Sequence, residues 1–341
     1  MTLFTEFNPT IDNYWRSIIL FGRNVASYKF ALGKSLLEFA AIGKDFVTLD
    51  ELAEPFSKSI CNHLRLSDKQ GTSKSSRFLN GCRDFNDGTI SKEELISKTT
   101  KLGFVNVIDA FHVVHSKEIE LRFFFDERKG EKKGIRITDE LFQLTETFQY
   151  RNIENEIDAR WNLVETAWNL NLPRHVLTVL YDPMSHGLIT FDKYHRRKSI
   201  TGCRDALNGY QKGKCFYCFN NISIAPTTTD LADIDHFFPF KMNHLFRGNL
   251  DQIWNLVLAC KTCNRGEKGK SDNIPEKRFL ERLHKRNNFL INSHHPLRET
   301  LVKQTGNKES DRRNFLQAMY NQSRESILHH WKPVCEHEPA F

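Results

Sequence analysis

None of the 341 residues belongs to an apolar run of the eighteen or so positions that a membrane-spanning helix needs. The longest candidate, Ile18-Ile19-Leu20-Phe21, is broken by Arg23 and Asn24. The N-terminal Met1-Thr2-Leu3-Phe4-Thr5-Glu6 lacks a basic leader region and a small-residue cleavage site, so secretion is not expected. There is no internal repeat and no low-complexity tract. Disulfide spacing is missing as well: Cys61, Cys82, Cys203 and Cys335 are scattered. Free thiols are hazards in an oxidising compartment, so the expected location is the reduced cytoplasm, with no membrane partner. What remains, 39% hydrophobic and 27% charged, is the composition of an ordinary globular protein with room for about two domains.

The first half reads as mainly helical. Between Ile11 and Ile42 the apolar residues Tyr14, Trp15, Ile18, Ile19, Val25, Tyr28, Leu32, Leu36 and Phe39 form a stripe too wide for an isolated surface helix. Thr48 and Glu51 are spaced as a capping box. Ser67 to Asp87, with Gly71, Ser73, Ser75, Ser76 and Gly81, reads as loop. A helical stretch over Leu102 to Val114 follows. Ile119, Leu121, Phe123 and Phe125 then alternate with Glu120 and Arg122 as in a strand, Asp126 to Lys133 forms a charged turn, and Gly134 to Thr138 forms the return strand. Helices followed by a basic-tipped hairpin resemble a winged-helix module, a fold that docks DNA in some proteins and is an interaction scaffold in others. No clear recognition helix accompanies it. Ile153, Ile157, Trp161, Val164, Trp168 and Leu172 mark one face of a helix ended by Pro173, and such a stripe is core. Tyr194 to Tyr210, carrying Arg196, Arg197, Lys198 and Arg204, reads as a basic helix.

Beyond residue 210 the cysteines become orderly. Cys215/Cys218 and Cys260/Cys263 form two CxxC knuckles. Each presents two thiolates from one tight turn, and together they complete the tetrahedron that structural Zn²⁺ prefers. The 42 positions from Cys218 to Cys260 exceed a simple ribbon's spacer, so something is folded between them. Asp233-Ile234-Asp235-His236-Phe237-Phe238-Pro239 reads as a short strand ended by Pro239. Neighbouring strand residues point to opposite faces, so Asp235 and His236 share one small site only if the strand is distorted or ends there. Asn255 precedes the apolar Leu256-Val257-Leu258-Ala259, and Asn264 opens a helix running through Lys268. The order is strand, strand, helix around a metal.

Asp235-His236-Phe237-Phe238-Pro239, Asn255-Leu256 and Cys260-Lys261-Thr262-Cys263-Asn264 resemble the HNH endonucleases of the His-Me finger (ββα-metal) superfamily, in the four-cysteine form of the endonuclease VII type. The resemblance spans about Lys214 to Lys270, a sixth of the chain. It implies that His236 is the general base and that Asn255 orients its imidazole. It further implies that Asp235 and Asn264 hold one catalytic Mg²⁺ or Mn²⁺, while the four cysteines hold zinc. The chemistry agrees, since water attacking a phosphodiester needs a base that is neutral near pH 7, and the growing charge calls for a hard cation with oxygen ligands. Three features depart from the family. Its Gly-Gly is replaced by a longer loop, Met242 to Asn249, containing His244. Its lysine is displaced by one, to Lys268. Its last histidine is Asn264.

The net charge of +7 is unevenly placed, with nine Lys/Arg against four Asp/Glu between Lys261 and Arg286. Such a segment is a solvated helix face or a phosphate-binding path. Beside a nuclease motif the second reading is preferred, with Lys261, Arg265, Lys268, Lys270, Lys277 and Arg278 as phosphate contacts. The expectation is a mainly α protein with small β elements. Residues 1–190 form a helical regulatory or partner-docking region, and residues 191–341 an HNH nuclease with a helical tail. The expected activity is metal-dependent hydrolysis of DNA, with RNA not excluded by the chemistry. The architecture resembles effectors of bacterial antiphage or restriction systems. The alternatives are a zinc module that binds nucleic acid or protein without cutting, and a DNA repair or recombination nuclease.

Overall fold

In the computed structural model, which describes residues 9–20, 26–73, 75–114, 116–170, 178–192, 194–226, 228–246, 249–293 and 295–341, the chain divides between Tyr150 and Arg151. The expected boundary lay at 190/191. The shift has a physical cause, because the long helix after residue 150 is bonded into the second unit. Asn152 Oδ1 accepts the Ile224 N–H at 3.0 Å, and Glu156 Oε1 accepts the Asn208 amide at 2.8 Å.

The first unit runs α1 (Ile11–Ile19), α2 (Tyr28–Ala41), β1 (Phe46–Thr48), α3 (Leu49–Leu66), α4 (Arg77–Asn86), α5 (Lys92–Leu102), α6 (Val107–Ala110), β2 (Val113–Val114), β3 (Lys117–Glu118), β4 (Phe124–Glu127), β5 (Gly134–Ile137) and α7 (Asp139–Glu146). The apolar stripe of Ile11 to Ile42 thus belongs to two helices, with Trp15, Ile18, Ile19, Leu32 and Leu36 buried; Val25 lies outside the described residues. The capping box forms as expected: the Thr48 N–H donates to Glu51 Oε2 at 3.0 Å, and the Glu51 N–H donates to Thr48 Oγ1 at 3.3 Å.

Three local expectations are corrected. Within the supposed loop of Ser67 to Asp87, α4 forms because Ser76, a loop signal in the sequence, is its N-cap, and Phe78, Leu79 and Cys82 give it a buried face. The supposed helix of Leu102 to Val114 is only the single turn α6 followed by β2. The hairpin strand begins at Phe124 rather than Ile119, since the Phe123 N–H is taken by His112 Nε2 at 3.0 Å. The hairpin itself stands, with Phe124 opposite Ile137 and Glu127 opposite Gly134. β1 pairs on the other side of β5, giving the order β1-β5-β4. That pairing needs the glycine: a Cβ at Gly134 would sit 2.3 Å from the Val47 carbonyl oxygen. Trp15 fills the core, its ring edge-on to Phe123 at 5.0 Å and Phe111 at 5.9 Å.

His112, 2% exposed, lies beside that core. Burial, with Arg122 and Lys29 nearby, lowers its pKa to about 3 from the ordinary 6.5. The unfolded chain therefore takes up a proton below pH 6.5 that the folded chain refuses until about pH 3. Stability is fully present above 6.5 and falls with pH through that window, by up to about 1.4 kcal/mol per pH unit. The urea midpoint of the protein is expected to fall between pH 7 and pH 4, and His112→Gln, which retains an acceptor for Phe123, should flatten that dependence. An unchanged slope in the variant would remove His112 as its source.

The second unit begins with α8 (Tyr150–Asn169), whose Ile153, Ile157, Trp161 and Val164 are buried as core, with Trp168 half-buried. Leu172 and Pro173 lie outside the described residues. β6 (Leu180–Asp182), β7 (Gly187–Phe191) and β8 (Arg197–Gly202) form an antiparallel sheet, followed by α9 (Cys203–Gln211). The basic helix expected over Tyr194 to Tyr210 is therefore helical only from Cys203. Arg197 and Lys198 lie on β8 opposite Phe191 and Thr190, while Arg196 is tied to Asp192 at 2.9 Å. Next come β9 (Asp233–His236), β10 (Leu256–Ala259), α10 (Lys261–Arg265), β11 (Ile274–Pro275), α11 (Lys277–Asn292), α12 (Arg298–Thr305), α13 (Glu309–Ser326) and β12 (His330–Trp331). Arg286 of α11, 2% exposed, donates to the carbonyls of Ile253, Trp254 and Leu256 at 2.8–3.3 Å and so anchors the chain entering β10. Among the described residues helices predominate, no sheet exceeds three strands, and no helix is long and apolar enough to cross a membrane.

Candidate metal centre

The first knuckle is made by the way α9 ends. Lys212 and Gly213 adopt left-handed backbone (φ 54° and 68°), and the Asn208 side chain accepts the Gly213 N–H at 3.0 Å. The chain reverses there into Cys215. The Phe219 N–H closes on the Cys215 carbonyl at 3.0 Å, and the Asn220 N–H points at Cys218 Sγ, 3.4 Å away. The second knuckle has the same logic. β10 delivers Cys260 to the start of α10, and its Sγ accepts the Cys263 N–H at 3.4 Å. The two meet because the Phe216 N–H donates to the Leu258 carbonyl at 2.9 Å.

The four sulfurs all lie within 4.8 Å of one another and all four residues are buried. Four thiolates on one zinc at about 2.3 Å stand about 3.8 Å apart in a tetrahedron, and Cys218 Sγ lies 3.7 Å from Cys260 Sγ. Burial pushes the Cys215 thiol up, while hydrogen bonding to Cys215 holds Cys260 down. Four sulfurs so close hold negative charge together only around a cation. The cluster could hold a structural zinc, and backbone N–H groups already point at two of its sulfurs.

β9 and β10 pair antiparallel between the knuckles, His236 opposite Leu256 and Asp233 opposite Ala259, and α10 follows at once. His236 stands at the end of β9, where Pro239 turns the chain into a 3₁₀ segment over Phe240–Leu245. Its Nε2 lies 2.6 Å from Asp251 Oδ1, and its ring faces Phe240 at 5.7 Å and Tyr181 at 6.3 Å. Nδ1 has no hydrogen-bond partner among the described residues. Asn255 is wholly buried and acts as a clamp. Its Oδ1 accepts the Phe238 N–H at 2.8 Å, and its Nδ2 donates to the Phe238 and Leu250 carbonyls, both at 3.0 Å. It does not touch the imidazole. It fixes the chain two residues past His236 and one residue before Asp251, and so acts on both partners of the pair.

Asp235 and His236 diverge, as strand alternation requires. Asp235 is 5% exposed; its Oδ2 accepts from Tyr217 Oη at 2.6 Å, and its Oδ1 lies 3.1 Å from Lys270 Nζ. Burial pushes its carboxyl up, against the pull of Lys270. The Asn264 amide donates to Asp233 Oδ2 at 3.1 Å, not to Asp235. A hydrated Mg²⁺, which keeps several of its waters, does not fit the Asp235–Asn264 pair as it stands: both oxygens of Asp235 are engaged, and Lys270 already supplies the positive charge. The carboxylate beside Asn264 is that of Asp233, which also receives Arg265 at 3.0 Å.

The basic set separates in the same way. Lys270 is fully buried, its ammonium also donating to the His236 carbonyl at 2.9 Å and the Ser271 carbonyl at 3.2 Å. It is therefore a strut under β9 and not a surface contact. Arg278 is paired with Glu276 and Glu336 at 2.9 and 2.5 Å. Lys261, exposed, donates to the Thr229 carbonyl at 2.8 Å, and Arg265 is held by Asp233. Lys268 and Lys277 are exposed with no ion pair among the described residues. His244 is exposed and its Nδ1 bonds the Lys241 carbonyl of its own turn at 2.8 Å. Sequence reasoning missed Asp251 and the Tyr217–Asp235–Lys270 group. Charge placement is sharper than the segment count implied: the first 150 residues carry 21 Lys/Arg and 21 Asp/Glu, so the whole +7 lies in the second unit.

The buried pair gives a stability prediction. Lys270→Met leaves the Asp235 carboxylate buried with Tyr217 alone, and breaking such a pair costs about 3–5 kcal/mol. Adding Asp235→Asn should recover most of this, because the amide still accepts from Tyr217 and no charge stays buried. Urea unfolding of the three proteins checks it, and equal midpoints for wild type and Lys270→Met would refute it.

The chain matches no known protein-family model, no curated protein sequence and no solved structure.

Proposed function

We propose that the second unit is an HNH-type endonuclease that hydrolyses DNA phosphodiesters. The observation that carries this reading is His236, held at the end of β9 with Nε2 on Asp251 and Nδ1 open, in a hairpin-and-helix element braced by the four-cysteine cluster. With the carboxylate of Asp251 as acceptor, Nε2 carries the ring proton and Nδ1 holds the lone pair. Nδ1 takes the proton of an attacking water, and the resulting imidazolium is paired with Asp251. Asn255 keeps both in register. Divalent-cation dependence belongs to the proposal as the family resemblance implies it, although the Asp235–Asn264 pair that the resemblance nominates does not fit the ion while Lys270 holds Asp235. The Asp235–Lys270 pair favours a second reading, a zinc-braced module that binds without cutting.

The first unit's order of helices, the β1-β5-β4 sheet and the basic turn after β4 resemble a winged-helix module, and we assign it partner docking. The whole would then serve as a cytoplasmic effector of a bacterial antiphage or restriction system. No disulfide joins any of the eight cysteines, which supports the reading of a reducing compartment.

Purified protein is expected to nick or cut DNA with Mg²⁺ or Mn²⁺ and to stop with EDTA; cutting that EDTA leaves untouched would remove the catalytic cation. DNA affinity should fall steeply with salt. Lys268→Gln and Lys277→Gln should each flatten log K against log salt by about 0.9, alike for all sequences. A slope unchanged in the double variant would return these lysines to a solvated face.

A further inference from the structure

The residues on either side of Asp251 in the chain line a pocket of about 680 Å³, within the range of small-ligand sites. Asp251 is flanked in sequence by lining residues on both sides, Asn249 and Leu250 before it and Gln252 after it. Leu180, also in the lining, precedes Tyr181, whose ring faces His236. Its floor is apolar and aromatic: Trp254, 1% exposed, meets the half-buried Phe315 edge-on at 4.9 Å, and Phe246 and Met319 continue the surface. Its polar lining is unusual in kind, because primary amides dominate it. Gln252 Oε1 accepts the Trp254 indole N–H at 3.0 Å, Gln304 Oε1 accepts the Trp254 backbone N–H at 3.4 Å, and Asn249 Oδ1 accepts the Asp251 N–H at 2.8 Å. These bonds orient the amides by their oxygens. The –NH₂ groups of Gln252, Gln304 and Asn249 have no hydrogen-bond partner among the described residues. The rim carries Lys303.

We propose that this pocket receives one nucleobase of the bound nucleic acid, unstacked from its neighbours. Aromatic surface offers stacking to any base, and side-chain amides with free –NH₂ groups meet base acceptors such as a purine N7 or O6. A base taken from the stack is read by such contacts. The inference rests on the chemistry proposed for His236: a nucleotide flanking the cleaved phosphate places its base near the general base's partner, and the recess is lined by the residues that flank Asp251. The fixed amide oxygens make the recognition directional, since each –NH₂ is aimed by a bond to Trp254 or Asp251 and does not swing freely.

The test uses full-length His236→Ala protein, so that nothing is cut. Anisotropy compares its affinity for a labelled single-stranded deoxyadenosine 12-mer with that for the same backbone carrying abasic residues throughout. A stacked base contributes on the order of ten-fold or more in affinity, so the base-bearing strand is expected to bind at least ten-fold tighter. Gln252→Glu/Gln304→Glu keeps both acceptor bonds to Trp254 and removes both –NH₂ donors, and Phe315→Ala removes stacking surface. Each should lower the ratio of the two affinities several-fold. Added negative charge weakens both strands alike, so the ratio isolates the base. A ratio near one in the parent, or a ratio unchanged in both variants, overturns the pocket assignment. Cleavage by the wild type is read separately: protein that never cuts yet shows the ratio retains the base pocket and loses the nuclease reading.

Discussion

Replacing His236 by alanine is expected to abolish cleavage, by about 10²–10⁴-fold, the usual contribution of a general base, with zinc content and melting temperature unchanged. The ring is partly exposed, and its polar contact is a single bond to Asp251, so the substitution removes little core. Asp251→Asn separates the two jobs of the pair. The amide still meets Nε2 but no longer offers a carboxylate to the imidazolium formed when Nδ1 takes the water's proton. Its turnover should fall by roughly ten-fold, within the range for partners of a reacting group, while KM stays near wild type because nothing at the DNA surface has changed. Rates measured on one supercoiled plasmid at fixed Mn²⁺ check all three proteins. Wild-type cutting by His236→Ala removes His236 as the base. A raised KM with unaltered turnover in Asp251→Asn places Asp251 in DNA binding instead.

Much of this site was legible because its parts are local. Knuckle spacing and a strand ended by proline are patterns a few residues long, and the structure places β9 and β10 where those patterns put them; α10 spans Lys261–Arg265 rather than opening at Asn264, because Cys260 caps its start. What escaped was set by residues distant in sequence. Lys270 looked like one more cation in a basic stretch, yet a backbone bond from its N–H to the Cys263 carbonyl at 2.7 Å turns it inward to a carboxylate 35 positions earlier. Asp251 carried no local signal beyond lying four residues before Asn255. Among the secondary elements the same rule holds. The Thr48 capping box was readable from four residues, whereas α4 was hidden because Ser76 signals a loop and an N-cap equally well. The domain boundary escaped because the bonds of Asn152 and Glu156 that tie α8 to the second unit reach residues more than 50 positions away.

Removing one cysteine of the cluster that could hold zinc is expected to have the largest effect on the fold. Structural zinc in small domains contributes on the order of 10–16 kcal/mol, as much as the whole stability of a typical domain. The cluster is also the point where several elements converge. Gln211 of α9 bonds both the N–H and the carbonyl of Leu258, at 2.8 Å each. Arg282 of α11 donates to the Tyr217 carbonyl at 2.9 Å and lies 4.1 Å over the Phe219 ring. The His337 N–H reaches the Cys218 carbonyl at 2.8 Å. Loss of the metal leaves four buried thiols in mutual contact and no charge to hold the knuckles shut, so α9, β10 and α11 lose a common anchor. Cys263→Ser should therefore purify without zinc and show fast hydrogen exchange across 203–292, rather than merely cutting more slowly. A strong chelator should do the same to wild type, and added Zn²⁺ should reverse it. Asp251→Asn, a few residues away in the same hairpin, should keep wild-type exchange, which distinguishes a structural ligand from a catalytic partner. Wild-type protein that is folded, protected from exchange and free of zinc by elemental analysis would remove the metal from the fold altogether.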